Sequence, residues 1–123
     1  MFVALAAGTI LIGLCVYRFG TSLNPAARDI TGDTLWAIMM YWLIGAVFPR
    51  IAIGARSVMT YAICAAVELS QLFHSPSLDV MRATTPGHLV LGSGFDSRDL
   101  IAYAGGVLIA CVAEVFIIGR SRA

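Results

Sequence analysis

Glu68 and Gln71 stand three residues apart in Ala65-Ala66-Val67-Glu68-Leu69-Ser70-Gln71-Leu72-Phe73, a run that otherwise reads as membrane-spanning helix. At that spacing both side chains share one helix face, a turn apart. A carboxyl in hydrocarbon costs a few kcal/mol on insertion scales, so Glu68 needs polar company inside a bundle or beside a water-filled cavity. The chain offers that company. Asp99 and His88 could exchange protons with Glu68 as general acids or bases. Arg28 and Arg82 could clamp a phosphate, preferably bidentately. His74 and His88 beside carboxylates could ligate a metal, but no HExxH or comparable spacing supports one. No Ser or Cys lies in a nucleophile motif, and neither a metal nor a cofactor is expected.

Composition says what surrounds these groups. The chain has 123 residues, 59% of them hydrophobic and 12% charged. Soluble domains carry about a quarter charged residues, so this is a membrane protein's balance. A mean hydropathy of +0.88 agrees. The length fits one integral membrane domain, residues 1–123. Every basic residue is Arg and the net charge is +1, which leaves no basic patch for nucleic acid. Cys15, Cys64 and Cys111 each fall in an apolar run without a CxxC or Cys/His neighbour, and read as small buried hydrophobes.

The elements that must position the polar residues follow from hydropathy and punctuation. The pattern predicts an all-α, four-span transmembrane helical bundle with a re-entrant or interfacial segment between spans 3 and 4. The spans cover about residues 2–17, 33–48, 57–73 and 98–119. Span 1 lacks a basic leader region and a small-residue cleavage site, so it reads as uncleaved; Ala4 and Gly8 have small-xxx-small spacing. Phe19 to Gly32 carries the Gly, Asn24 and Pro25 of a loop. Span 2 is stopped by Pro49-Arg50, and Arg50 to Arg56 reads as a short polar link. Span 3 carries a small ladder, Ala62, Ala66 and Ser70. His74 to Ser97 is a long break whose apolar insert, Leu89-Val90-Leu91, falls far short of the about 20 helical residues needed to cross a bilayer. Span 4 has Ala102, Gly106, Ala110 and Glu114 at intervals of four and closes on Arg120 and Arg122.

An up-down bundle then brings the end of span 1, the start of span 2, the end of span 3 and the start of span 4 to one face. Arg28, Asp29, Asp33, Glu68, Gln71, Asp79, Arg82, His88, Asp96 and Asp99 gather there, with Glu68 as the floor of a cavity and the long break as its roof. Each has a plainer alternative. Asp96 with Asp99 has capping-box spacing, and Asp33 sits in a first turn. Asp79 and Arg82 suit an ordinary ion pair. The histidines suit an interface, and Glu68 could be a protonated packing residue. Glu114 lies toward the opposite leaflet near Arg120 and reads as structural. The arginines split evenly between the two sides; setting aside Arg28 and Arg82 favours termini inside and a polar site facing outward.

Several motifs in order carry a resemblance. They are Gly32-Asp33-Thr34-Leu35-Trp36-Ala37, Phe48-Pro49-Arg50, Glu68-Leu69-Ser70-Gln71-Leu72, Asp79-Val80-Met81-Arg82-Ala83-Thr84, Gly87 through Phe95, and Asp99-Leu100-Ile101-Ala102-Tyr103. On these the chain resembles the bacterial membrane-protein family known as domain of unknown function 2809. More distantly it is similar to VanZ-like proteins, whose founding member is associated with resistance to a lipoglycopeptide antibiotic. Asp33, Glu68 with Gln71, Asp99 and Gly106 fit that second frame. Tyr103 stands where Asn is usual, Trp36 lies near the place of a His, and the stretch 79–95 is extra. The resemblance implies the bacterial cytoplasmic (inner) membrane and adds Trp36 and Tyr103 to the candidate site.

The first functional expectation is a cavity that binds a lipid headgroup or cell-envelope precursor through Arg28, Asp33, Trp36, Glu68, Gln71, Asp79, Arg82, His88, Asp99 and Tyr103. The second is a membrane-embedded enzyme on a lipid-linked substrate, using Glu68, Asp99 and His88. An assembly subunit comes third, its small-residue faces open to a partner membrane protein or a second copy. A proton-coupled transporter comes last, because the acids cluster at one side instead of lining a path across.

Overall fold

Six α-helices account for most of the chain in a computed structural model that describes residues 1–92 and 94–121, with side chains described through Ile118. They are α1 (Phe2–Phe19), α2 (Pro25–Val47), α3 (Ile53–Ser70), α4 (Pro76–Ala83), α5 (Thr85–Leu91) and α6 (Ser97–Ser121), with a short 3-10 turn at Gly20–Ser22. No strand occurs among the described residues. Ser93 of the glycine-rich stretch, Arg122 and the Arg120 side chain, on which span 4 was expected to close, lie outside what is described.

Among the described residues, three segments are long and apolar enough to cross a membrane: Phe2–Ser22, Pro25–Val47 and Ser97–Ile118. Their outward surface is compatible with lipid. On α6, Ile101, Leu108, Ile109, Val112, Val115 and Phe116 point outward, while Ala102, Gly106, Ala110 and Glu114 are buried as their spacing predicts. Small residues inside let helix backbones approach, which is how helices associate where no hydrophobic effect drives them together. At Gly106 an added Cβ would lie 2.5 Å from the Thr34 carbonyl oxygen and 2.8 Å from the Ala37 Cβ, so this contact requires glycine.

Helix α2 is the hub. It packs against α1, α3 and α6, and α3 also packs along α6. Its start corrects the expected loop over 19–32, because the helix begins eight residues before Asp33. Asn24 accepts the Ala26 N–H at 2.9 Å and Pro25 occupies the first turn, where a missing N–H costs nothing. Thr31 and Thr34 then return their hydroxyls to the Ala27 and Ile30 carbonyls at 2.7 and 2.8 Å, which lets polar residues stay helical.

The α3 boundaries also shift, and Arg56 proves to be a buried residue inside the helix, not part of a polar link. The packed face of α3 is Arg56, Thr60, Cys64 and Glu68, again at intervals of four. The expected ladder is displaced from it, with Ala62 and Ala66 exposed and Ser70 half-buried. Similarly α1 buries Ala6 and Thr9 in place of the Ala4/Gly8 pair. In both helices small residues fall on more than one face, so spacing alone could not choose the packed one. The long break folds into α4 and α5, which pack on each other and leave Val80, Met81, Leu89 and Val90 exposed.

Candidate functional site

Glu68 ends the packed face of α3 and is fully buried. Its Oε1 accepts the Asp96 N–H at 2.7 Å; its Oε2 accepts from Gln71 Nε2 and from the Tyr103 hydroxyl, both at 3.1 Å. Gln71 in turn accepts the Gly94 N–H on Oε1 at 2.9 Å. One turn of α3 therefore holds the segment that leads into α6. Gly92 completes the clasp: its φ is +67°, and a Cβ there would lie 2.5 Å from Gln71 Nε2. Only glycine tolerates both the left-handed backbone and that approach.

Asp96 caps α6, its Oδ1 accepting the Arg98 N–H at 2.9 Å, while Arg98 Nη2 meets Oδ2 at 2.6 Å. The Arg98 side chain holds the exposed Asp96 carboxyl below the ordinary carboxylate range. Asp99 lies in the first turn of α6, one turn before Tyr103. It lines the same cavity as Asp33 of α2.

Beside this framework lies a cavity of about 640 Å³. Arg28, Asp33 and Trp36 line it from α2, Asp99 and Tyr103 from α6, and Gln71 and His88 from the α3 end and α5. Its other wall is α1, through Ile10, Gly13, Leu14 and Tyr17. Arg28 donates to the Tyr17 carbonyl and sits 5.4 Å from that ring's centre. Glu68 itself is not in the lining; it lies behind Gln71 and Tyr103 as a brace. That volume is within the range of small-molecule sites, roughly 300–1,000 Å³.

Asp79 and Arg82 are elsewhere. The Arg82 guanidinium is buried against the end of α3, with Nη1 donating to the Phe73 carbonyl at 2.8 Å and Nη2 to that of Ser70 at 2.9 Å. These carbonyls stand at and just beyond the C-terminus of α3, where a cation is favoured by the helix dipole. Asp79 lies 3.7 Å from Arg82 and 3.2 Å from His74. None of these three lines the cavity. Among the described residues no group of acids, histidines and cysteines is arranged to hold a metal.

A second polar cluster closes the other end of the bundle. Arg56 pairs with Glu114, and the Tyr41 hydroxyl donates to the same carboxylate at 2.6 Å. The Phe2 ring covers Arg56 at 4.6 Å. Glu114 was expected near Arg120; it is paired with Arg56 of α3. The signal available in sequence was the four-residue interval from Arg56 through Thr60 and Cys64 to Glu68. The backbone donors of Gly94 and Asp96 and the α1 wall had none, since every residue has an N–H and apolar side chains do not announce a cavity.

No solved structure matches the chain. A family profile described as "Protein of unknown function (DUF2809)" matches residues 22–107, from the turn before α2 to the middle of α6. It takes in Asp33, Trp36, the Glu68 clasp, Asp99 and Tyr103, and leaves α1 outside. With well over half of its residues inside that match, the chain belongs to the DUF2809 family.

Proposed function

We propose that this protein binds the headgroup of a membrane amphiphile in the cavity between α1, α2 and the start of α6. The observation that carries the reading is the division of the cavity wall. Ile10, Leu14, Leu35 and Met39 supply an apolar side suited to an acyl or prenyl chain, while Arg28, Asp33, Asp99 and Tyr103 supply the polar side. Polar groups placed at one end of an apolar cleft fix the orientation of an amphiphile. Gln71 and Tyr103 are locked by Glu68, so part of the polar side is preorganised.

Helix α3 fits this reading as a fourth span. Its 18 residues contain Arg56 and Glu68, and both are buried against partners from α6 or the segment before it. Ionisable groups in spanning helices characteristically face the bundle and pair there. The exposed apolar residues of α4 and α5 then lie at the interface beside the cavity mouth. Arg56, being paired inside, drops out of the arginine balance. Our reading keeps the cavity at the outer face of a bacterial inner membrane, where an envelope precursor could also reach it.

Plugging the cavity tests this. Gly13 lines it and an added Cβ meets nothing within 4 Å, so Gly13→Phe should fill the space without disturbing a packed contact. The expected result is loss of retained lipid in native mass spectrometry with helix content unchanged by circular dichroism. Lipid retained equally by Gly13→Phe would overturn the proposal.

A second reading is favoured by one feature, the presence of the Asp33 and Asp99 carboxyl residues on one cavity wall from two different helices. Paired carboxyls in distinct surroundings can divide acid and base roles in an enzyme acting on a lipid-linked substrate. Glu68 does not fit that role, because both its oxygens hold structural partners. Turnover of a lipid-linked substrate that is lost in Asp99→Asn, with lipid still retained, would favour the enzyme; undiminished turnover would exclude Asp99 from it.

A further inference from the structure

The cavity's charges are unevenly committed. Both arginines that line it already have partners: Arg28 Nη2 donates to the Tyr17 carbonyl, and Arg98 Nε and Nη2 are held by Asp96. Asp33 and Asp99 have no such counterpart. Among the described residues neither lies in an ion pair, and both line the cavity, one from α2 and one from α6. Four carboxyl residues, Asp29, Asp33, Asp96 and Asp99, line the cavity against two arginines, one of them held by Asp96, and this excess of acid favours a ligand that brings its own cation.

Resting on the headgroup reading above, we propose that the ligand is a zwitterionic amphiphile whose primary ammonium sits between Asp33 and Asp99 and whose phosphate lies toward Arg28 and Arg98. An ammonium has three N–H donors and no acceptor, which suits carboxyl acceptors, and Trp36 is among the other residues that line the cavity. A bare metal ion does not suit the site, since no ligand set of three or more acids, histidines or cysteines is present among the described residues. The arginines keep donors for the phosphate. Arg28 has Nε and Nη1 uncommitted and Arg98 has Nη1, and the Arg98 side chain is 71% exposed at the mouth. Ile10, Leu14 and Met39 give the cavity apolar lining for a chain.

The full chain in detergent, offered equimolar phosphatidylethanolamine and phosphatidylglycerol of the same acyl length, reads this out as a ratio of adducts by native mass spectrometry. The expected preference for the amine is about tenfold or more, the order of one charge-assisted hydrogen bond. The ratio should fall toward one in Asp33→Asn and in Asp99→Asn, while Arg28→Gln weakens both adducts and leaves the ratio. Phosphatidylcholine, which cannot donate a hydrogen bond from its cation, should compete less well than phosphatidylethanolamine. Free O-phosphoethanolamine should fail to displace the lipid at equal concentration; displacement would remove the amphiphile from the proposal. A parent ratio near or below one would overturn the ammonium assignment while leaving a headgroup cavity in place. Absence of both adducts would overturn the headgroup reading itself, and this inference with it.

Discussion

Glu68 is an acceptor three times over, and its donors come from Gln71, Tyr103 and the peptide of Asp96. Glu68→Gln keeps the shape but turns an amide N–H toward a donor. It should cost roughly 1–3 kcal/mol, the penalty for leaving a buried polar group unmatched, in equilibrium unfolding from detergent. Tyr103→Phe removes a single bond and should cost less. Asp96 makes the pH prediction. Its carboxyl titrates below the ordinary value of 3.8 because the Arg98 side chain and N–H favour the charged form. A depressed folded-state value means the stabilisation is complete above 3.8 and is lost as pH falls through the lower folded value. Asp96→Asn should therefore flatten the acid limb of the stability profile, and an unchanged limb would show that the cap contributes nothing. At this scale the sequence was informative about Glu68 with Gln71, because a carboxyl and an amide one turn apart in an apolar run demand partners. It was misleading about Arg82, whose charge suggested a phosphate clamp; nothing in its local sequence shows that the side chain reaches back to Ser70 and Phe73.

The loop that leads into α6 is set by Gly92 as much as by hydrogen bonds. Gly92→Ala forces a Cβ into the Gln71 amide and a left-handed backbone onto an L residue. Strain of that kind costs about 1–3 kcal/mol. The expected outcome is faster hydrogen exchange at the Gly94 and Asp96 amides, with exchange across α2 unchanged; protection equal to the parent's would show that the clasp does not depend on the glycine. Helix termini were harder to read than helices. Asn24-Pro25 can close a loop or open a helix, and here it opens α2. The small-residue intervals identified the packed face of α6 correctly. They misidentified those of α1 and α3, where the buried positions are Ala6 with Thr9 and Thr60 with Cys64.

Across the whole molecule, α3 and α6 run antiparallel, tied at one end by Arg56 and Glu114 and at the other by Glu68, Tyr103 and Asp96. Removing one member of a buried pair strands the other charge. Arg56→Met should cost about 3–5 kcal/mol and Arg56→Met with Glu114→Leu much less, because the double change leaves no buried ion. Equal losses in the single and double variants would mean that packing of the Arg56 stem under Phe2 matters more than its charge. The sequence by itself determined that this chain is helical, that its helices present apolar surface outward, and that its acids other than Glu114 collect toward one end. Hydropathy and turn residues are local properties, and alternating direction does the rest. Only the tertiary structure decided which polar groups meet. Glu68 became a brace behind the cavity, Asp33 and Asp99 came to line it from two helices, Arg82 was turned away, and α1 was laid down as the apolar wall. Those outcomes depend on helix rotation and on backbone donors from a distant loop, which residue types and spacing do not encode singly.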